Sequence, residues 1–107
     1  MTAEKIFEAR WAAALIAAAV ERLRGEFQTA GKGHLFEALK GILLDSEVAS
    51  YQQVADKLGL SLGAIKTVIH RMRNRYRTLV REEVARTVAT PSEVEEELRC
   101  LRAALRS

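Results

Sequence analysis

Five side chains able to hydrogen-bond to the edges of nucleic-acid bases, Lys66, Thr67, His70, Arg71 and Asn74, lie between positions 66 and 74. Arginine can pair bidentately with guanine and asparagine with adenine. Arg73, Arg77 and Arg81, farther along, are better suited to phosphates. The stretch from Ser61 to Arg81 contains six Lys or Arg residues and no acid, whereas residues 91–107 carry four Glu against three Arg. In a chain whose net charge is only +3, so uneven a distribution implies an anionic partner for the basic stretch. The competing reading is a solvated arginine face, partly neutralised by Glu82 and Glu83. The element that carries these residues decides between the two.

The sequence predicts an all-α fold of about five helices containing a helix-turn-helix, with an extra helix at the C-terminal end. Ala and Leu dominate and aromatics make up 6% of the chain, a bias toward helix. Phe7, Trp11, Leu15, Leu23 and Phe27 recur at multiples of four and define a first helix from Thr2, its cap, to about Gln28, stopped by Gly31 and Gly33. Leu35, Leu39, Ile42 and Leu43 define a second. Ser50 followed by Gln53 forms a capping box, with Ala49 and Val54 as the hydrophobic staple. This opens a short third helix that ends at Gly59. Ser61 then caps a fourth, which has no proline or interior glycine after Gly63 and is predicted to run to about Val88. Thr90-Pro91-Ser92-Glu93 starts a fifth, over about 90–106, with Val94, Leu98, Leu101 and Leu105 as its apolar stripe. Cys100 is expected on or near that stripe, as a core or boundary residue.

Residues 50–77 are predicted to form the helix-turn-helix. Val54, Leu58, Leu60, Ile65 and Val68 are apolar where two short helices must share a core, Ala55 is small enough for close approach, and Gly59 permits the tight turn. On a helical wheel of about 100° per residue, Ile65, Val68, Ile69, Met72, Tyr76 and Leu79 form the buried stripe. Thr67, His70, Asn74, Arg77 and Arg81 point away from it, with Lys66, Arg71 and Arg73 at its flanks. Lys66, Thr67, His70, Arg71 and Asn74 are therefore the candidate base readers, and Arg73, Arg77 and Arg81 the candidate phosphate contacts. The start of the third helix, at Ser50, Tyr51 and Gln52, offers backbone amides for a further phosphate. Ser61 opens the fourth helix at the same surface.

Other function classes find less support. The longest apolar run, Trp11 to Val20, is ten residues, against about 20 for a bilayer span. Glu4 and Glu8 interrupt the positive start that a secretion signal needs, so a cytoplasmic location is expected. One cysteine and two distant histidines, His34 and His70, suggest neither an intrachain disulfide nor a zinc site. With no activated nucleophile, paired acid and base, or glycine-rich phosphate loop, neither an enzyme nor a cofactor is expected.

The stretch SYQQVADKLGLSLGAIKTVIHRMRNRYRTLV resembles region four of the bacterial sigma-70 superfamily, in particular the extracytoplasmic-function sigma factors. The order V-A-x-x-L-G, S-x-G-x-[IV]-K-[ST], H-R-x-R is met by Val54 to Gly59, by Ser61, Gly63, Ile65, Lys66 and Thr67, and by His70, Arg71 and Arg73. The ending ARTVATPSEVEEELRCLRAAL is similar to the C-terminal extension of one large subgroup. The resemblance covers nearly the whole chain. It implies recognition of the −35 promoter element and contact with the flap of the RNA polymerase β subunit, while an acidic partner for the basic face could be an anti-sigma factor. Region two has no counterpart here, so the chain is expected to be a C-terminal domain, monomeric and unable to initiate transcription alone. Two other readings fit the same residues: a free-standing, dimeric helix-turn-helix regulator, and a module whose basic face binds an acidic protein.

Overall fold

A computed structural model describes residues 3–44, 51–87 and 91–106, with side chains described for 9–44, 51–87 and 93–104. The fold is all-α. Five helices follow in order: α1 (Ala3–Thr29), α2 (Gly33–Leu44), α3 (Tyr51–Leu58), α4 (Leu62–Ala85) and α5 (Pro91–Arg106). Among the described residues no helix is long and apolar enough to cross a membrane.

Two helix ends are closed by the same device. At α1, Gly31 has φ 75°, Gly31 N–H donates to Gln28 O at 3.0 Å and Lys32 N–H to Phe27 O at 2.7 Å. At α3, Gly59 has φ 69°, with Leu60 N–H to Ala55 O at 3.0 Å and Gly59 N–H to Asp56 O at 3.4 Å. This pair of bonds is the Schellman closure, which needs a left-handed residue just past the helix. A Cβ built on Gly59 meets nothing within 4 Å, so the cost of Gly59→Ala is conformational alone, about 1–2 kcal/mol. It is expected as a lower urea midpoint at unchanged slope. Ser61 caps α4: its Oγ accepts from Ala64 N–H at 3.1 Å. The caps expected at Thr2, Ser50 and Thr90, and the Ala49 half of the staple, fall outside the described residues.

The chain divides into two compact units, Leu23–Tyr76 and a second made of Met1–Arg22 with Arg77–Ser107; α1 and α4 contribute to both. In the Leu23–Tyr76 unit the largest fully buried side chains are Leu23, Phe36, Leu39, Ile42, Ile65, Ile69 and Met72, and Ala55 is fully buried as well. Here α2 lies beside α3. The ring of Phe36 packs on Phe27 with centroids 5.7 Å apart, and the Arg24 guanidinium sits 5.4 Å from its centroid. Phe36, absent from the predicted stripe of the second helix, is thus central to it, while Leu35 and Leu43 are half-buried. Leu60, expected in the shared core of the third and fourth helices, is 41% exposed. The closure at Gly59 has turned the chain outward at that point.

In the other unit Ala12, Leu15, Ala19, Leu79, Val80, Val84, Val94, Leu98 and Leu101 are buried. The buried face of α1 thus includes two alanines, whereas Trp11 is only half-buried. Small side chains let neighbouring backbone come close, so Ala12 and Ala19 share the buried face with Leu15 and Leu23 of the predicted stripe. The stripe of α5 is as predicted at Val94, Leu98 and Leu101; the Leu105 side chain lies outside those described. Cys100, expected at the core boundary, is exposed, one residue off the stripe. α4 ends at Ala85, short of Val88. Thr87 N–H bonds to Val84 O at 2.9 Å and its hydroxyl to the same oxygen at 2.7 Å, tightening the chain into a turn.

Glu83, a charged residue only 8% exposed, is held in this unit by Arg22 at 3.3 Å and Arg86 at 3.2 Å, and Arg22 also reaches Glu82 at 3.1 Å. The hydrogen bond to Glu82, foremost, raises the Arg22 pKa from its ordinary value. A buried carboxylate needs such partners. Arg22→Met is expected to lower the melting temperature, and by less at high salt, where the wild-type pairs are already screened. Equal loss at low and high salt would show that the Arg22 stem, not its charge, matters.

Candidate nucleic-acid interface

Charge separates along the division into units. Residues 23–76 contain eight Lys or Arg against five Asp or Glu, while the remainder of the chain contains nine of each. The whole +3 excess therefore belongs to the unit that contains α2, α3 and the first half of α4. Its described carboxylates are all engaged: Glu37 with Arg24 at 2.9 Å and Lys40 at 2.6 Å, Glu26 with Arg75 at 2.6 Å, and Asp56 with the Gln52 amide at 2.9 Å. The bonds from Lys40, then Arg24, hold the Glu37 carboxyl below its usual range.

Along the part of α4 that belongs to this unit the buried side chains are Ile65, Ile69 and Met72, with Val68 and Tyr76 half-buried. Burial pushes the Tyr76 phenol up from its ordinary value. Its contribution to stability is therefore complete below the ordinary phenol range and lost as pH rises through the raised pKa. Tyr76→Phe is expected to remove that part of the alkaline stability loss, measured as melting temperature against pH.

With those residues turned inward, Lys66, Thr67, His70, Arg71 and Asn74 are exposed. The Thr67 hydroxyl donates to Gly63 O at 3.0 Å, which leaves its oxygen available as an acceptor. His70 Nε2 and Asn74 Nδ2 lie 3.3 Å apart. That contact joins two side chains one helical turn apart and limits the rotamers of both.

The remaining predicted residues sit differently. Ser61 Oγ accepts from Ala64 N–H as the cap of α4, which leaves its hydroxyl proton and one lone pair for an external group. Arg73 and Tyr51 are half-buried, and Gln52 is exposed beside Asp56. Ser50 lies outside the described residues. Arg77 and Arg81 are exposed but belong to the other, charge-balanced unit, where Arg81 is ion-paired to Glu95 of α5. Arg75, not among the predicted residues, forms a bidentate contact with Glu26, its Nε at 2.9 Å from Oε1 and its Nη2 at 2.6 Å from Oε2. No signal within one helical turn of Arg75 marks a partner 49 positions away.

Among the described residues no group of three or more His, Cys, Asp or Glu could hold a metal ion. The exposed row can donate and accept hydrogen bonds and attract anions. No family model, curated protein or solved structure matches the chain.

Proposed function

We propose that the chain binds double-stranded promoter DNA, with the first turns of α4 in the major groove. The observation that carries this reading is the exposed row Lys66, Thr67, His70, Arg71 and Asn74 on the unit that holds the entire charge excess. A helix entering the groove presents its N-terminal turns to base edges, and these residues occupy the second to fourth turns of α4. Arg73 and the start of α3, through Tyr51 and Gln52, are assigned to phosphates. Pairing of Arg81 with Glu95 makes that arginine a lesser contributor to DNA than its position in the basic run suggests.

Within this reading the resemblance to sigma region four gives the finer role: recognition of the −35 element as the C-terminal domain of an alternative sigma factor, in the cytoplasm and in company with the RNA polymerase β flap. The test is selection of bound fragments from a random DNA pool, followed by titration of the enriched duplex at several salt concentrations. One enriched motif bound by a monomer, with affinity falling steeply as salt rises, is the expected result. Enrichment of an inverted repeat bound by a dimer would favour a free-standing regulator instead, and salt-insensitive binding would rule out the basic face as the contact.

A further inference from the structure

Beside the exposed row of α4, and wholly within the Leu23–Tyr76 unit, is a groove of about 300 Å³ lined by Glu26, Phe27, Ala30, Lys32, Leu35, Val68, Arg71, Met72 and Arg75. Its composition is ordered: Phe27, Ala30, Leu35, Val68 and Met72 are apolar, and the other four carry charge. Of those four, Glu26 and Arg75 satisfy one another. Lys32 and Arg71 form no ion pair among the described residues. An apolar concavity with two cations left over at its edge is complementary to a small molecule with an apolar body and one negative group, and the volume lies at the low end for ligand pockets, about 300–1,000 Å³.

We propose that this groove binds a small amphipathic carboxylate, its apolar body against Phe27, Leu35, Val68 and Met72 and its carboxylate between Lys32 and Arg71. Arg71 stands at the boundary of two faces of α4, one turn from Val68 and Arg75 in the groove and one residue from His70 on the outward row. A carboxylate held by Arg71 withdraws that side chain from DNA. Occupancy of the groove and DNA binding therefore oppose one another, a consequence that rests on the functional reading above, whereas the binding site itself does not.

The probe is octanoate, titrated into the full chain and followed by amide chemical shifts, with acetate and 1-octanol as controls for the charge and the chain taken singly. Octanoate is expected to saturate, with the largest shifts at Ala30, Lys32, Leu35, Val68, Arg71 and Met72, and to bind at least tenfold more tightly than either control. Lys32→Glu is expected to weaken it at least fivefold. Ala30→Trp fills the groove from an exposed position that the core does not use, and is expected to abolish binding while the rest of the spectrum stays folded. Shifts scattered over the surface, equal binding of a control, or indifference to both substitutions would overturn the site. In the second arm, saturating octanoate is expected to weaken binding of the selected duplex at least threefold. Octanoate bound in the groove with DNA affinity unchanged would overturn the competition alone, and failure of the ligand-free chain to bind any duplex would overturn the functional reading alone.

Discussion

Asn74→Ala is expected to change which DNA sequences are preferred, and Arg73→Ala to weaken all of them alike. Asn74 lies on the exposed row of α4 beside His70, where its amide can pair bidentately with adenine. A bidentate contact of that kind discriminates against the wrong base by about 1–3 kcal/mol, roughly five- to 150-fold in relative affinity. Arg71→Ala belongs to the same class, with guanine as the base. Arg73, half-buried at the flank, is assigned in the proposed reading to a phosphate, which carries no sequence information. Its loss should lower affinity uniformly and reduce the slope of log affinity against log salt by about 0.9. Arg81→Ala is expected to have the smallest effect on DNA of the three arginines, because Glu95 already neutralises it. Matched and mismatched duplexes titrated at two salt concentrations separate these cases. Uniform loss for Asn74→Ala and Arg71→Ala, with unaltered preference, would mean that this face of α4 does not lie against base edges.

Removal of residues 91–107 is expected to have the largest effect on stability. The deletion takes away Val94, Leu98 and Leu101, all buried, and with them roughly 4.5–9 kcal/mol of apolar burial at about 1.5–3 kcal/mol per side chain. That is comparable to the whole stability of a small domain, about 5–15 kcal/mol. It also exposes the α4 side of the same core, Leu79, Val80 and Val84, and leaves Arg81 without Glu95. Calorimetry should show a melting temperature lower by more than about 20 °C, at about 4–8 °C per kcal/mol for a domain of this size, or loss of the cooperative transition. Leu101→Ala is the milder version, at about 2–5 kcal/mol. An unchanged melting curve after the deletion would show α5 to be an appendage to the fold.

What could be read along the chain were the features fixed within one helical turn. Glycine at 31 and 59, Ser61 three residues before an amide it caps, leucine at the spacing of one face of α5, and a basic run without acids are all local, because helix capping, periodicity and left-handed closures depend on residues up to about five apart. These determined the helices, the turn between α3 and α4, and the exposed row from Lys66 to Asn74. Features settled between distant residues were not legible. Glu26 and Arg75 are 49 positions apart, and Arg22 and Glu83 are 61 apart. Whether either carboxylate is paired depends on which faces of two helices meet. The same holds for Ala12 and Ala19, whose burial reflects how closely backbones approach and not how apolar the side chains are, and for Arg81, whose partner on α5 withdraws it from the basic run. It also holds for the groove at Lys32 and Arg71: two cations 39 positions apart in sequence flank one concavity only because the end of α1, the turn into α2 and the middle of α4 line it together. Side-chain type and periodicity constrain one element at a time; pairing and concavity arise where two elements pack.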